Sequence, residues 1–273
     1  MSSSHEIVRT HTGALAVRSL ADAEVMHPGV GPLVEAEQLY VRQSRLVERL
    51  QTRNLATLVV FDVGLGAGSN AICAWAASDH VRPPAARLEL VSFERDLGAL
   101  ELALGHGSDF ALVGESALAA RAVFDHGEYE TARTLWRLQS GDVIESLAQE
   151  YAHADIVFWD PFSPRANPAL WTIRAFEAIR RRAGPRCTLF TYSASTATRV
   201  ALLLAGWAVG IGDAIGDKAA TTAAATEVRD LARPLDRGWL ARLARPDVPL
   251  PTDAPANAVQ LVTGLPQFSK PGP

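Results

Sequence analysis

The chain has 273 residues, 48% of them apolar and 21% charged, with a net charge of −4. These proportions exclude a disordered or fibrous chain, and the net charge gives no global attraction to nucleic acid or anionic membranes. No apolar run is long enough for a membrane span, and the start MSSSHEIVRTHTG lacks an apolar signal core, so a cytoplasmic protein is expected. The two cysteines, Cys73 and Cys187, sit in separate apolar stretches and read as reduced core thiols.

In chain order, residues 6–19 predict a small hairpin around Thr12-Gly13, and residues 24–32, rich in Gly and Pro, a loop. Leu39, Leu46 and Leu50 recur at helical spacing and predict one helix over 33–53. Short apolar strands then alternate with helices. Strands are expected at 55–64, 87–94, 134–142, 154–160, 186–193 and 206–214. Helices are expected at 69–77, 96–104, up to 151, 171–182 and 195–205. Residues 106–134 read as a partly helical insertion. A seventh strand is placed at 219–226 in preference to 258–263. This alternation predicts an α/β fold with a mostly parallel sheet and helices on both faces. The expected division is an N-terminal extension (1–32), a main domain (33–230) and a Pro-rich, partly flexible C-terminal extension (231–273) ending in a frayed tail.

The sharpest local signal is Phe61-Asp62-Val63-Gly64-Leu65-Gly66-Ala67-Gly68-Ser69-Asn70, between a strand and a helix. Its G-x-G-x-G spacing differs from the dinucleotide fingerprint, and no Gly-Lys-Ser/Thr follows, so it is not a P-loop. An acid just before the loop, Asp62, suits S-adenosylmethionine, which carries a sulfonium and an ammonium and no phosphate. The alternative is a Gly-rich turn that binds nothing. Glu94 ends the second strand, where an acid can accept both ribose hydroxyls. Asp142 follows the third strand and suits either an adenine contact or a helix N-cap.

Phe158-Trp159-Asp160-Pro161-Phe162-Ser163-Pro164 leaves the carboxyl end of the fourth strand, the edge at which open α/β sheets bind ligands. Asp160 can accept an N–H from a reacting amine, and Phe162 can hold a flat acceptor; the alternative is a Pro-rich connection whose Asp caps its own turn. The seven histidines show no paired metal-ligand spacing, so no metal is expected, and no Ser-His-Asp arrangement is supported. Arg42, Arg45, Arg49 and Arg53 fall at one helical stripe, and Arg180, Arg181, Arg182 and Arg186 form a second cluster. Either is a phosphate track or a solvated face.

Together, DVGLGAGSN, FERD, SGDVIESL and VFWDPFSPRANPALWT resemble the methyltransferase domain of the MnmC-like tRNA 5-methylaminomethyl-2-thiouridine biosynthesis proteins. GWAVGIGDAIGDK and VEAEQLYVRQSRLVERL extend the resemblance to roughly residues 25–227. It implies a class I methyltransferase Rossmann-like sheet and transfer of a methyl group from S-adenosylmethionine to the aminomethyl nitrogen of wobble uridine in tRNA. Carried over by position, it implies that Gly64, Gly66 and Gly68 line the cofactor with Asp62 and Asn70. Glu94 would hold the ribose, Asp142 the adenine and Asp160 the amine, with Gln43 and Ser44 approaching the cofactor from the N-terminal segment. Arg42, Arg45, Arg49, Arg165 and Lys218 are the candidate RNA contacts. The sequence departs from the family's common Asp-Gly-Phe-Ala-Pro at Pro161 and Ser163, and from its basic pair after strand six, where only Lys218 stands. No counterpart of the family's FAD-dependent oxidase half is recognised, so no flavin is expected, and any upstream oxidation would come from a separate oxidase. Two other readings of the fold are an aminopropyltransferase of spermidine synthase type and a catalytically silent partner protein.

Overall fold

A computed structural model describes residues 4–52, 56–83, 85–216 and 218–269. The N-terminal extension forms a three-stranded antiparallel sheet: β1 (His5–Arg9), β2 (Leu15–Ser19) and the two-residue β3 (Glu24–Val25). The hairpin matches the sequence expectation, whereas β3 lies in the stretch expected to be a loop.

The helix expected over 33–53 is broken. It consists of α1 (Pro32–Glu35), a π-helical segment (Ala36–Arg42) and α2 (Leu46–Leu50). Arg45 has φ 56°, a left-handed conformation that stops the helical run. Polar side chains at the break take up backbone carbonyls: the Gln43 amide donates to Leu39 O (3.0 Å) and Ser44 Oγ to Val41 O (3.1 Å). Arg42, Arg45 and Arg49 therefore do not form one continuous stripe, and Arg53 lies outside the described residues.

The central sheet runs β10-β11-β9-β8-β4-β5-β7-β6. Its parallel core comprises β4 (Thr57–Val63), β5 (Arg87–Glu94), β7 (Thr134–Ser140), β8 (Ala154–Trp159) and β9 (Ala183–Thr191). β10 (Ala208–Gly212) and β11 (Thr221–Ala225) close one side antiparallel, confirming the preferred seventh strand. β6 (Glu128–Glu130) pairs antiparallel with β7 at the other edge. It follows α5 (Glu115–His126), so the 106–134 insertion adds a helix and an edge strand.

The near-continuous apolar character of β4, β5 and β8 has a simple cause: both faces of the sheet are covered. Leu58, Val60, Leu88, Leu90 and Phe158 pack against α3 (Ser69–His80), α4 (Gly98–Gly105), α5 and the broken N-terminal helix. Phe61, Val63, Val91, Phe93 and Trp159 face α6 (Val143–Gln149), α7 (Ile173–Arg181) and α8 (Thr196–Leu204). Both cysteines are free, Cys187 fully buried and Cys73 partly so. Among the described residues no helix is long and apolar enough to cross a membrane.

The C-terminal segment carries short helical elements. Residues 258–263, the rejected strand, form α9 (Ala258–Thr263), which packs through Val262 into the same layer as α8. Trp239 stacks on Phe268, and Asp253 accepts from the backbone N–H groups of Ile173 and Arg174 at the start of α7. Residues 267–269 of the expected frayed tail are held, because the edge of β10 needs partners. The Gln267 side chain accepts from Val209 N (2.9 Å) and donates to Val209 O (2.7 Å) and Leu235 O (2.9 Å). Replacing Gln267 with Ala takes this partner from Val209 N and Leu235 O, while Val209 O still accepts from Leu235 N. It should lower stability by about 1–3 kcal/mol in urea denaturation while leaving cofactor affinity unchanged; an unchanged midpoint would show that the edge is not closed by this amide.

Candidate active site

Four strand ends meet at the carboxyl edge of the sheet. Gly64 N donates to Phe93 O (3.1 Å), Gly141 N to Glu94 O (2.9 Å) and Asp160 N to Val63 O (2.9 Å), binding the loops after β4, β5, β7 and β8 into one rim. Gly64 has φ 90°, and a Cβ there would lie 2.7 Å from Asp160 O, so the glycine is required both by conformation and by the close approach of the two loops.

Above this rim is a cavity of about 340 Å³. Its floor comprises Gly64, Leu65, Gly66, Phe93, Glu94, Gly141, Asp142, Asp160, Pro161 and Phe162. Its roof is the N-terminal extension, with Ser19, Asp22, Glu24, Met26 and His27. The roof is fastened to the loop after β8: Glu24 accepts from Ser163 N (3.1 Å) and Ser163 Oγ (2.8 Å). The latch uses both the hydroxyl and the backbone N–H of Ser163.

Glu94 Oε2 accepts from Gly66 N (3.0 Å), while Oε1 accepts from Arg95 N (2.8 Å) and Asp96 N (3.1 Å). Burial raises the Glu94 carboxyl above the usual range, and these three donors restrain the rise. Asp142 takes up the helix N-cap role. Its Oδ1 accepts from Ile144 N (2.8 Å) and Glu145 N (3.2 Å) to cap α6, and the residue lines the cavity. Phe162 lines the cavity too, its carbonyl accepting from Trp171 Nε1 (2.8 Å).

Five expected cofactor residues stand elsewhere. Asp62 is fully buried behind the loop, and Ser92 Oγ donates to its Oδ2 (2.9 Å) while accepting from Trp136 Nε1 (3.0 Å). Burial, aided by Asp160 and Glu94, pushes its carboxyl to about 7. Gly68, at φ 88°, starts α3 and faces Leu100. Asn70, in the first turn of α3, points to Asp160. Gln43 and Ser44 line a different cavity against β9, β10 and β11, because the helix break commits their side chains to local carbonyls, and Gln43 Oε1 also accepts from Asp213 N.

Asp160 is the centre of the arrangement. Asn70 Nδ2 donates to its Oδ2 (2.8 Å), and His27 Nε2 lies 3.4 Å from the same oxygen. His27 Nδ1 is 3.8 Å from Glu35 Oε2, and Glu35 Oε1 is 3.5 Å from Lys218 Nζ. Lys218 stands over the Tyr192 ring (4.6 Å), whose hydroxyl donates to Pro161 O (3.0 Å). The buried Tyr40 hydroxyl has no hydrogen-bond partner, and Asp160 is near enough to help hold its proton on. Burial raises the Asp160 carboxyl, and His27 counters that. The row of charges alternates in sign from the buried carboxylate to the half-exposed lysine. His27, Glu35 and Tyr40 escaped the sequence reading because a lone His in a Gly/Pro loop and a Glu and Tyr within a helical pattern carry no motif.

The arginine clusters are largely occupied. Arg49 donates to Thr188 Oγ1 and Asp155 O (both 3.0 Å), so it is a structural tie to the sheet, not a free phosphate contact. Arg180 donates to Gly206 O, Arg182 to Leu147 O and Ala148 O, and Arg186 pairs with Asp230. Arg42, Arg45 and Arg165 are exposed. Among the described residues no group of three or more His, Cys, Asp or Glu side chains is placed to hold a metal ion.

The cavity fits S-adenosylmethionine. A backbone cradle at Gly64 and Gly66 admits close approach, Glu94 and Asp142 offer acceptors at the ends of β5 and β7, and carboxylates face a space a cation can enter. Residues 113–227 match the family described as S-adenosyl-L-methionine-dependent methyltransferase. Among curated relatives, the tRNA 5-methylaminomethyl-2-thiouridine biosynthesis bifunctional protein MnmC of Ectopseudomonas mendocina is 34% identical over 65% of this chain and 28% of that protein. The protein of the same name from Paraburkholderia xenovorans is 30% identical over 89% of this chain and 37% of that protein. The chain thus spans roughly a third of these relatives' length. A crystal structure of MnmC2 from Aquifex aeolicus superposes with a TM-score of 0.74 at 26% identity, covering 96% of this chain and 83% of that one.

The position of Asp62 gives a test by pH. Its folded-state carboxyl, at about 7, lies above the ordinary 3.8, so the folded chain binds more protons than the unfolded one between these values. This group's contribution to stability therefore falls as pH rises from about 4 to about 7 and is constant above. The Asp62→Asn variant should lose that component of the slope in denaturation midpoints across the window; an identical slope in both proteins would place the group in water-like surroundings. With its fold, its strand-end cavity and its relatives agreeing, the chain is an S-adenosylmethionine-dependent methyltransferase similar to the methyltransferase part of the MnmC proteins.

Proposed function

We infer that this chain methylates an amine, the aminomethyl group on the wobble uridine of tRNA. The observation that carries the reading is Asp160, a carboxylate buried at the rim of the cofactor cavity with cationic and N–H donors around it. The names of the relatives supply the acceptor. When bound, S-adenosylmethionine supplies an electrophilic methyl group on a sulfonium, so the protein's work is positioning and the exclusion of water.

In this reading the backbone at Gly64 and Gly66 lies against the cofactor. Glu94 accepts from the ribose hydroxyls, and the Asp142 oxygen not used in capping accepts from the adenine amino group. Asp160 draws the acceptor amine beside the sulfonium and holds one N–H, which aims the nitrogen lone pair. Phe162 and Pro161 flank the acceptor base. Asp62 shapes the loop from behind, and Asn70 and His27 fix the Asp160 carboxylate. Arg42, Arg45, Arg165 and Lys218 are the cations left to meet RNA phosphates, with Lys218 at the cavity mouth. An FAD-dependent oxidation upstream makes the aminomethyl group, and the reaction takes place in the cytoplasm.

Incubation of undermethylated tRNA with the protein and cofactor, followed by nucleoside mass spectrometry, should convert aminomethyluridine to methylaminomethyluridine; an unchanged nucleoside profile would refute this acceptor. Asp160→Asn keeps one acceptor oxygen and loses the charge. It should lower kcat by roughly 10²-fold or more while barely changing cofactor affinity. Glu94→Ala should show the reverse pattern in calorimetry and kinetics, with loss of cofactor binding dominating. Asp160→Asn turning over at the wild-type rate, or losing the cofactor as badly as Glu94→Ala, would contradict these roles.

A further inference from the structure

Methylation of an amine that arrives as an ammonium releases one proton, and the reacting nitrogen must lose it before its lone pair can attack. Asp160 is an acceptor of N–H hydrogen bonds, but a carboxylate is a weak base for an ammonium. The group beside it is His27, supplied by the roof. His27 lines the cavity, with Nε2 3.4 Å from Asp160 Oδ2 on one side and Nδ1 3.8 Å from Glu35 Oε2 on the other. Glu35 in turn lies 3.5 Å from Lys218 Nζ, whose side chain is 44% exposed. The row of alternating charges runs from the buried carboxylate to the cavity mouth. His27 also holds a left-handed backbone conformation, φ 50°, which a non-glycine residue adopts at a cost.

We propose that His27 is the proton acceptor for the substrate ammonium, and that the N-terminal extension therefore completes the active site as well as covering it. This rests on the reading that the acceptor is an amine.

The step balances as follows. In the free protein the imidazolium of His27 is the counter-ion of Asp160. Burial opposes that charge, but Asp160 and then Glu35 outweigh it and hold His27 above its ordinary range. The other charged groups that act on it are Lys218 and Asp62. An ammonium arriving at Asp160 replaces the imidazolium charge. His27 then yields its Nε2 proton to water in the cavity, leaving the neutral tautomer whose Nδ1–H faces Glu35. Nε2 takes a proton from the ammonium: the N–H bond breaks and its electron pair stays on nitrogen. That pair forms the new N–CH3 bond as the C–S bond breaks, its electrons remaining on sulfur. The product is a secondary ammonium, His27 is again an imidazolium, and one proton has gone to solvent.

The test has two arms. In NMR of the full chain carrying labelled histidine, with His27 assigned through His27→Gln, its ring should titrate above about 6.5 and shift downward when methylammonium chloride replaces sodium chloride at equal ionic strength. In kinetics, His27→Asn and His27→Gln should both lower kcat by about 10²-fold at neutral pH. They should move the rising limb of the kcat–pH profile toward the alkaline range of a free amine while leaving cofactor affinity unchanged. Glutamine can still donate to Asp160 but cannot accept a proton, so wild-type kcat and an unchanged profile in His27→Gln would reduce His27 to a pin for the roof and overturn the proposal. A His27 ring that methylammonium does not move would overturn it as well, even if the kinetic variants fail to fold. Wild-type protein that leaves aminomethyluridine in tRNA untouched would refute the acceptor assigned above, and the NMR arm would still decide the role of His27.

Discussion

A carboxylate taken out of water must be given compensating charge and hydrogen bonds. Asp160 is such a group, and much of the site is arranged around it. Its backbone N–H is tied to the end of β4, and the glycine opposite is one that no side chain could replace without striking its carbonyl. Asn70 reaches it from the first turn of α3 and His27 from the roof, while Glu35 and Lys218 extend the alternation of charge to the cavity mouth. Both a bound sulfonium and an incoming ammonium are cations, so the same buried anion favours both.

Two segments that look peripheral in the sequence are integral. The N-terminal extension contributes the roof and His27, and its Glu24 is latched to Ser163 in the loop that carries Asp160. The C-terminal segment closes the edge of β10 through Gln267 and caps α7 through Asp253, fixing the helical layer behind β8 and β9. One extension completes the chemistry and the other keeps the sheet from ending in an open edge.

The parallel sheet was legible because its strands are buried on both faces and separated by helices of regular spacing. The cavity floor was legible for a related reason: Gly64, Gly66, Glu94, Asp142 and Asp160 each stand just beyond a strand end, a position readable from the chain alone. What escaped depends on contacts far apart in sequence or on single hydrogen bonds. His27 meets Asp160 across 133 positions, and nothing in MHPGVGP marks that meeting. Gln43 and Ser44 were misplaced because a helical pattern does not reveal a break at which side chains replace backbone partners. Asn70 and Asp62 lie in the glycine motif, yet one faces Asp160 and the other Ser92. Arg49 shows the same limit: its spacing on a charged stripe is correct, but its guanidinium is committed to the sheet.

The role proposed for Asp160 is to present a negative charge to the place where methyl group and amine meet. Sinefungin, a cofactor analogue with an amine in place of the methylsulfonium, probes that place without any RNA. Calorimetric affinities of sinefungin and S-adenosylhomocysteine should be compared for wild-type protein and Asp160→Asn. The wild type should prefer sinefungin by about tenfold or more, a difference of roughly 1.4 kcal/mol, and Asp160→Asn should lose that preference while binding S-adenosylhomocysteine as before. Equal preference in the two proteins would contradict this role of Asp160.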